Sequence, residues 1–136
     1  MAILWSDDLA TGVGVIDSQH KELFRRINSL LEACNIGKGK EEVNTVIKFL
    51  EDYVVTHFSE EERHMINFKY PDYDHHKSEH LKFGENFSKL KDHLQTDGIG
   101  LTAVIMTNQL VVDWLRNHIR RIDKDLGSFL KTKPLS

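Results

Sequence analysis

His57 and Glu61 stand four residues apart, and so do His76 and His80. At about 3.6 residues per turn, that spacing stacks both side chains of a pair on one helical face. Each pair is also collinear with an apolar stripe. Val43, Ile47, Leu50 and Val54 lead into His57 and Glu61, while His76 and His80 run on into Phe83, Phe87, Leu90 and Leu94. The polar groups therefore point at a core, where an unpaired carboxylate is very costly. A chain patterned like this must set helices side by side and gather something cationic among these side chains.

The rest of the chain supplies the helices. Only two prolines and eight glycines interrupt it, which leaves long runs that favour helix. Residues 1–16 show no helical period and read as an extended arm with Trp5, Leu9, Val13, Val15 and Ile16 as its apolar positions. Asp17 is the expected N-cap of a first helix from Ser18 to Ile36. Its inner stripe is His20, Leu23, Ile27, Leu30 or Leu31, and Cys34, and Gly37 and Gly39 end it. A second helix is expected from Glu41 to Phe68, and Pro71 prevents its continuation. Asp72 can cap a third, reaching Gln95, before a turn at Asp97-Gly98-Ile99-Gly100. A fourth is expected from Thr102 to Ile122, with Val104, Val111, Leu115, His118 and Ile122 inward. A short helix over Lys124 to Leu130 and a tail follow. The expected fold is all-α: an antiparallel up-down-up-down four-helix bundle with an extended N-terminal arm and a short C-terminal helix. One domain is expected over residues 1–136, with the arm at 1–16, the bundle at 17–123 and the last helix and tail at 124–136.

That topology brings the histidines together. His20 begins the first helix and His57 lies near the end of the second; His76 begins the third and His118 lies near the end of the fourth. In an up-down-up-down bundle these positions meet at one end. With Glu61, His80 and Asp123 they make five imidazoles and two carboxylates, more than the three or four protein ligands of a typical zinc site. The set suits two octahedral-leaning ions that share carboxylates. No thiolate faces the site, which argues against zinc ribbons, iron–sulfur clusters and Cu(I). Imidazole and carboxylate donors with room for an exogenous ligand fit non-haem iron. Asp123 sits awkwardly: it is five residues after His118, roughly 140° around an ideal helix, so it joins only if the helix changes locally. His64 is expected beside the site or at the surface, His75 in solvent, and His93 too far along its helix to bind. Glu60 to Glu62 reads as a solvated acidic face with only Glu61 turned inward, and Cys34 as a small buried hydrophobe.

The net charge of −3 gives no electrostatic case for nucleic acid or an anionic membrane. No apolar run approaches the roughly 20 residues of a membrane span, and the N-terminus lacks the pattern of a signal peptide. Cys34 is the only cysteine, so no internal disulfide can form. A monomer in the cytoplasm is expected.

Several separated pieces, Val13-Gly-Val-Ile16-Asp17-Ser-Gln19-His20, His57-Phe58 through Glu61-Glu62 to Met65, Tyr70-Pro71, His76 through His80, and Trp114-Leu115-Arg-Asn-His118-Ile119 through Asp123, resemble the hemerythrin family in its single-domain bacterial form. The resemblance covers nearly the whole chain and includes all seven ligand positions. It implies that His76, His80 and His118 hold one iron ion and His20 and His57 a second, with Glu61, Asp123 and an oxo or hydroxo group bridging the two. The second iron then keeps an open place where dioxygen binds reversibly. Leu23, Phe58, Trp114, Leu115 and Ile119 lie one, three or four positions from ligands and match the family's oxygen pocket. The function implied is oxygen storage, delivery to an oxygen-consuming enzyme, or scavenging, and not catalysis. The alternatives are an oxygen or redox sensor built on the same site and, behind it, a di-iron oxidase or reductase.

Overall fold

The structure, a computed structural model, describes residues 3–37, 40–96, 98 and 100–134. The chain is carried by long helices: α1 over Gly14–Asn35, α2 over Lys40–Asn67 and α3 over Tyr73–Thr96. A further rod, α4, is continuous from Leu101 to Leu130 but changes pitch along its length. It is α-helical over Leu101–Thr107, Trp114–His118 and Lys124–Leu130, and π-helical over Asn108–Asp113 and Ile119–Asp123. No strand occurs among the described residues. Short connections join successive helices, α1 packs on α2 and α4, and α3 packs on α2 and α4. The expected antiparallel four-helix bundle is what forms.

The donors form a layer between two apolar clusters. The larger holds Leu23, Ile27 and Leu30 of α1, Val43, Ile47 and Leu50 of α2, Phe83, Phe87 and Leu90 of α3, and Val111 and Leu115 of α4. The smaller holds Val13, Ile16, Met65, Leu126 and Leu130. In α1, α2 and α4 the histidines and acids fall between residues of the two clusters, so apolar side chains seal the polar layer from above and below. Each fully buried aliphatic side chain in these layers contributes about 1.5–3 kcal/mol, which is what holds a costly polar layer in place.

Several local expectations are corrected. Helix α1 starts at Gly14, four residues before Ser18, and Asp17 does not cap it. Its carboxylate instead accepts hydrogen bonds from the Thr11 N–H and hydroxyl, both at 2.8 Å, and so ties the arm to the first helical turn. Val15 is consequently helical and exposed, while Leu9, Val13 and Ile16 are buried. The arm is not wholly extended, since Asp7–Leu9 makes a 3₁₀ turn. The segment 124–130 is not a separate helix but the last part of α4. Val104 and Ile122 are only half-buried; Ala103, Thr107, Ile119 and Asp123 take the inner positions. The cause is the wide turns, in which i→i+5 pairing shifts the inward face by about one residue. Around the first of these, side chains donate to backbone carbonyls: the Thr107 hydroxyl to Ala103 O and the Asn108 amide to Val104 O in the turn before it, and the Asn86 amide to Leu110 O within it. Gly37 ends α1 at a φ of 69°. Gly39, Asp97 and Ile99 lie outside the described residues.

Helix α2 ends in a Schellman motif. Tyr70 N–H donates to Met65 O and Lys69 N–H to Ile66 O, with Lys69 in the left-handed region at a φ of 55° where glycine is usual. Pro71 follows, and His76 N–H donates to Asp72 O as α3 begins.

Candidate metal centre

Each helix delivers its donors to one level. His20 comes from the second turn of α1, His57 and Glu61 from late α2, His76 and His80 from the first turns of α3, and His118 and Asp123 from late α4. All seven are buried, with Glu61, His20 and His76 at 0% exposure. The π turn over Ile119–Asp123 answers the spacing problem. In an i→i+5 turn, residues five apart come close to facing one another, and His118 Nε2 lies 3.1 Å from Asp123 Oδ1.

The two carboxylates divide their oxygens. Glu61 Oε1 lies 3.2 Å from His76 Nε2 and 3.1 Å from His80 Nε2, while Asp123 Oδ1 lies 3.1 Å from the Nε2 atoms of both His76 and His118. The other oxygens turn the opposite way. Glu61 Oε2 is 3.2 Å from His57 Nε2 and 3.6 Å from His20 Nε2, and Asp123 Oδ2 is 2.9 Å from His20 Nε2. Ligand atoms of Glu61, His76, His80, His118 and Asp123 lie within 4.8 Å of one another, and so do those of His20, His57, Glu61 and Asp123.

Apart from the hydrogen bonds of Glu61 Oε1 with His76 and His80, these contacts do not satisfy the atoms that make them. His20 Nε2, His57 Nε2, His118 Nε2, Glu61 Oε2 and both Asp123 oxygens are buried without an aligned hydrogen bond, although opposite charge lies about 3 Å away. A shared cation resolves this. Two donors each about 2.1 Å from an ion are about 3.0 Å apart at an octahedral right angle and about 3.4 Å apart at a tetrahedral one. Six of the seven separations fall at 2.9–3.2 Å. The residues present therefore fit octahedral metal ions.

Protons balance the charge otherwise. Burial alone would push His20 down, but the Asp123 and Glu61 carboxylates outweigh it and hold its pKa at about 10. The same opposition raises His76 to about 9. Burial favours the neutral form of Glu61, yet His57, His20 and His76 hold it well below the usual carboxylate range. Asp123 is opposed by burial and by Glu61, and His118 and His20 still hold it well below.

Two residues behind the histidines carry no helical-period signal. His57 Nδ1 lies 2.7 Å from Gln19 Oε1, and His80 Nδ1 lies 2.8 Å from Glu62 Oε2. Glu62 is thus only partly solvated and turns its carboxylate towards His80. His64, by contrast, is buried but joins neither donor group; burial and Arg63 beside it push its pKa down. His75 is exposed. Of the expected pocket residues, Leu23, Phe58, Leu115 and Ile119 are buried and Trp114 is half-buried. Phe58 stacks on His80 with ring centroids 3.8 Å apart, and Trp114 on His118 at 4.5 Å.

Residues 11–130 match the family model of the hemerythrin HHE cation binding domain. The chain belongs to the hemerythrin family. A bacteriohemerythrin of Methylococcus capsulatus is 34% identical over 90% of this chain and 92% of its own length. One from Pseudomonas aeruginosa is 36% identical over 89% of this chain and 76% of its own. A myohemerythrin of Theromyzon tessulatum is 29% identical over 88% of this chain and 86% of its own. A crystal structure of wild-type hemerythrin superposes with a TM-score of 0.85 at 32% identity, covering 97% of this chain and all of that one. In this chain the buried donors converge on one level of the helical bundle. Among the described residues no helix is long and apolar enough to cross a membrane.

Proposed function

We propose that this hemerythrin binds dioxygen reversibly at a non-haem di-iron centre. The observation that carries the reading is the division of the Glu61 and Asp123 oxygens between two histidine sets. In this reading His76, His80 and His118 hold one iron and His20 and His57 the other, with both carboxylates shared. That makes five protein donors on one side and four on the other. Bound iron would supply a reversible electron change and an affinity for dioxygen, and the four-donor group would leave more room for that ligand. The chain governs everything around it. Phe58 and Trp114, stacked on His80 and His118, fix those ring planes. Leu23, Leu115 and Ile119, none more than 1% exposed, wall the layer against water. A dry wall hinders proton delivery and so favours release of oxygen over its chemical conversion. The single, buried Cys34 is consistent with a cytoplasmic role in oxygen storage or in delivery to an oxygen-consuming enzyme.

The test is anaerobic reduction followed by oxygen titration, with iron counted and visible absorption followed. The expected result is about two irons per chain, as two donor groups require, and an absorption that rises with oxygen and fades under vacuum. A single iron, or a spectrum that vacuum does not reverse, refutes the reading.

A further inference from the structure

Of the five inward imidazoles, only two have a partner on the outer nitrogen among the described residues. The Nδ1 atoms of His20, His76 and His118 are buried without one. His57 Nδ1 faces the Gln19 side-chain oxygen, and His80 Nδ1 faces the Glu62 carboxylate. Each histidine set therefore has one ring held from behind, but by groups of different charge.

We propose that Glu62 is a positioning residue that strengthens His80 as a donor and biases the three-histidine ion towards its oxidised state, whereas Gln19 only orients His57. The inference rests on the di-iron reading above. A carboxylate oxygen can only accept, so His80 Nδ1–H donates to Glu62 and Nε2 keeps its lone pair for the site. An imidazole that donates to an anion becomes more electron-rich at its other nitrogen, and a more highly charged ion gains more from that than a less charged one. Gln19 Oε1 fixes the same tautomer on His57 without the charge. The position of Glu62 makes the arrangement sustainable. Its side chain is 23% exposed at a groove between α2 and α3 lined by Ser59, Arg63, Tyr73 and Lys77. The carboxylate therefore keeps contact with water and avoids the full cost of burying a charge. Glu61, one residue earlier and completely buried, has no such outlet. The two sides of the centre would thereby be unequal: an ion held by the five-donor group would be helped to oxidise, and one held by the four-donor group would be left freer to return to the ferrous state.

The test measures the midpoint potential of iron-loaded protein, iron affinity by chelator competition, and melting of the metal-free protein. Glu62→Gln keeps an acceptor and removes the charge, Glu62→Leu removes both, and Gln19→Glu puts a charge behind His57. Glu62→Gln is expected to shift the ferric–ferrous balance about tenfold towards ferrous, or about 59 mV for one electron, with unchanged metal-free melting. Gln19→Glu is expected to shift it the opposite way, and Glu62→Leu to weaken iron binding about 10–100-fold. A Glu62→Gln midpoint within twofold of wild type in that balance overturns the proposal. So does a Glu62→Leu effect confined to metal-free melting, because Glu62 would then merely join α2 to α3. Wild-type protein that takes up fewer than two irons would instead sink the di-iron reading itself, so the two failures are distinguishable.

Discussion

Glu61→Gln tests the sharing of carboxylates most directly. Glutamine keeps the volume and one acceptor of a side chain that has no exposure, so packing is preserved while the charge and one metal-binding oxygen are lost. If Oε1 and Oε2 serve different ions, as their 3.1–3.2 Å contacts with His80 and His57 suggest, this single change should strip both. His57→Ala should strip only the ion on its own side. The magnitude follows from linkage. A site filled by free metal at about 100 times its dissociation constant adds about 2.7 kcal/mol, and two such sites add about 5.4 kcal/mol. Over 136 residues the unfolding entropy is about 0.29 kcal/mol per kelvin, so one site is worth about 9 °C of melting temperature and two about 19 °C. The assay compares anaerobic melting of metal-free and ferrous-loaded protein, with iron analysis of each. Taking that difference within each variant cancels any effect on the metal-free fold. The wild type should show the full shift, His57→Ala about half, and Glu61→Gln almost none. A Glu61→Gln protein that keeps both irons and the full shift would refute the argument, since neither ion would then depend on the Glu61 carboxylate.

Trp114 closes an outer groove shared with His75, Glu79 and Arg121, so Trp114→Ala should leave two irons bound but speed autoxidation on the order of tenfold by admitting water; loss of iron would remove Trp114 from the wall. A Cβ added at Gly127 would collide with the Thr11 carbonyl oxygen and lie 2.7 Å from Thr11 Cβ. Gly127→Ala should therefore destabilise by about 1–3 kcal/mol despite alanine's better helix propensity, and denaturant unfolding would show a gain if the arm simply yields. Lys69→Gly relieves the left-handed residue at the end of α2 and should add about 0.5–1 kcal/mol, read as a rise of roughly 2–3 °C in melting; no rise would mean that the position carries little strain. In metal-free protein the raised pKa values of His20, about 10, and His76, about 9, contribute stability that is fully present below the ordinary value of 6.5 and lost as pH climbs through 9 and 10. Its melting temperature should fall between pH 7 and 10, whereas in iron-loaded protein the ions replace those protons and the decline should be much smaller.

The bundle was readable because its information is periodic. Stripes such as Ile47, Leu50, Val54 and Phe83, Phe87, Leu90 repeat at helical spacing, and that repetition survives whatever the neighbouring helices do. The buried donor cluster was readable for the same reason, as each of its residues but one continues such a stripe. Boundaries and partners were less readable because they depend on other elements. Asp17 has the composition of an N-cap, but the arm folds back and Thr11 takes its carboxylate. Glu62 belongs by residue type to an acidic run, and only the approach of α3 brings it to His80. Gln19 is one residue from a ligand on its own helix, yet its role is defined by His57 across the α1–α2 interface.

Asp123 is the instructive exception. On an ideal helix it would face about 140° away from His118, so regular periodicity argues against the residue that completes the site. The π turn over Ile119–Asp123 removes the conflict, and no local pattern announces it, because a wide turn is unfavourable alone and forms only where tertiary contacts repay it. Here the repayment is visible on both sides of the turn. Ile119 stays in the larger apolar cluster and Leu126 in the smaller, while the carboxylate between them reaches His20, His76 and His118. A regular helix through this stretch could not keep all three groups inward at once. The extra residue in the turn is therefore the means by which one rod serves two apolar layers and the polar layer between them, and the irregularity in α4 belongs to the same design as the metal site.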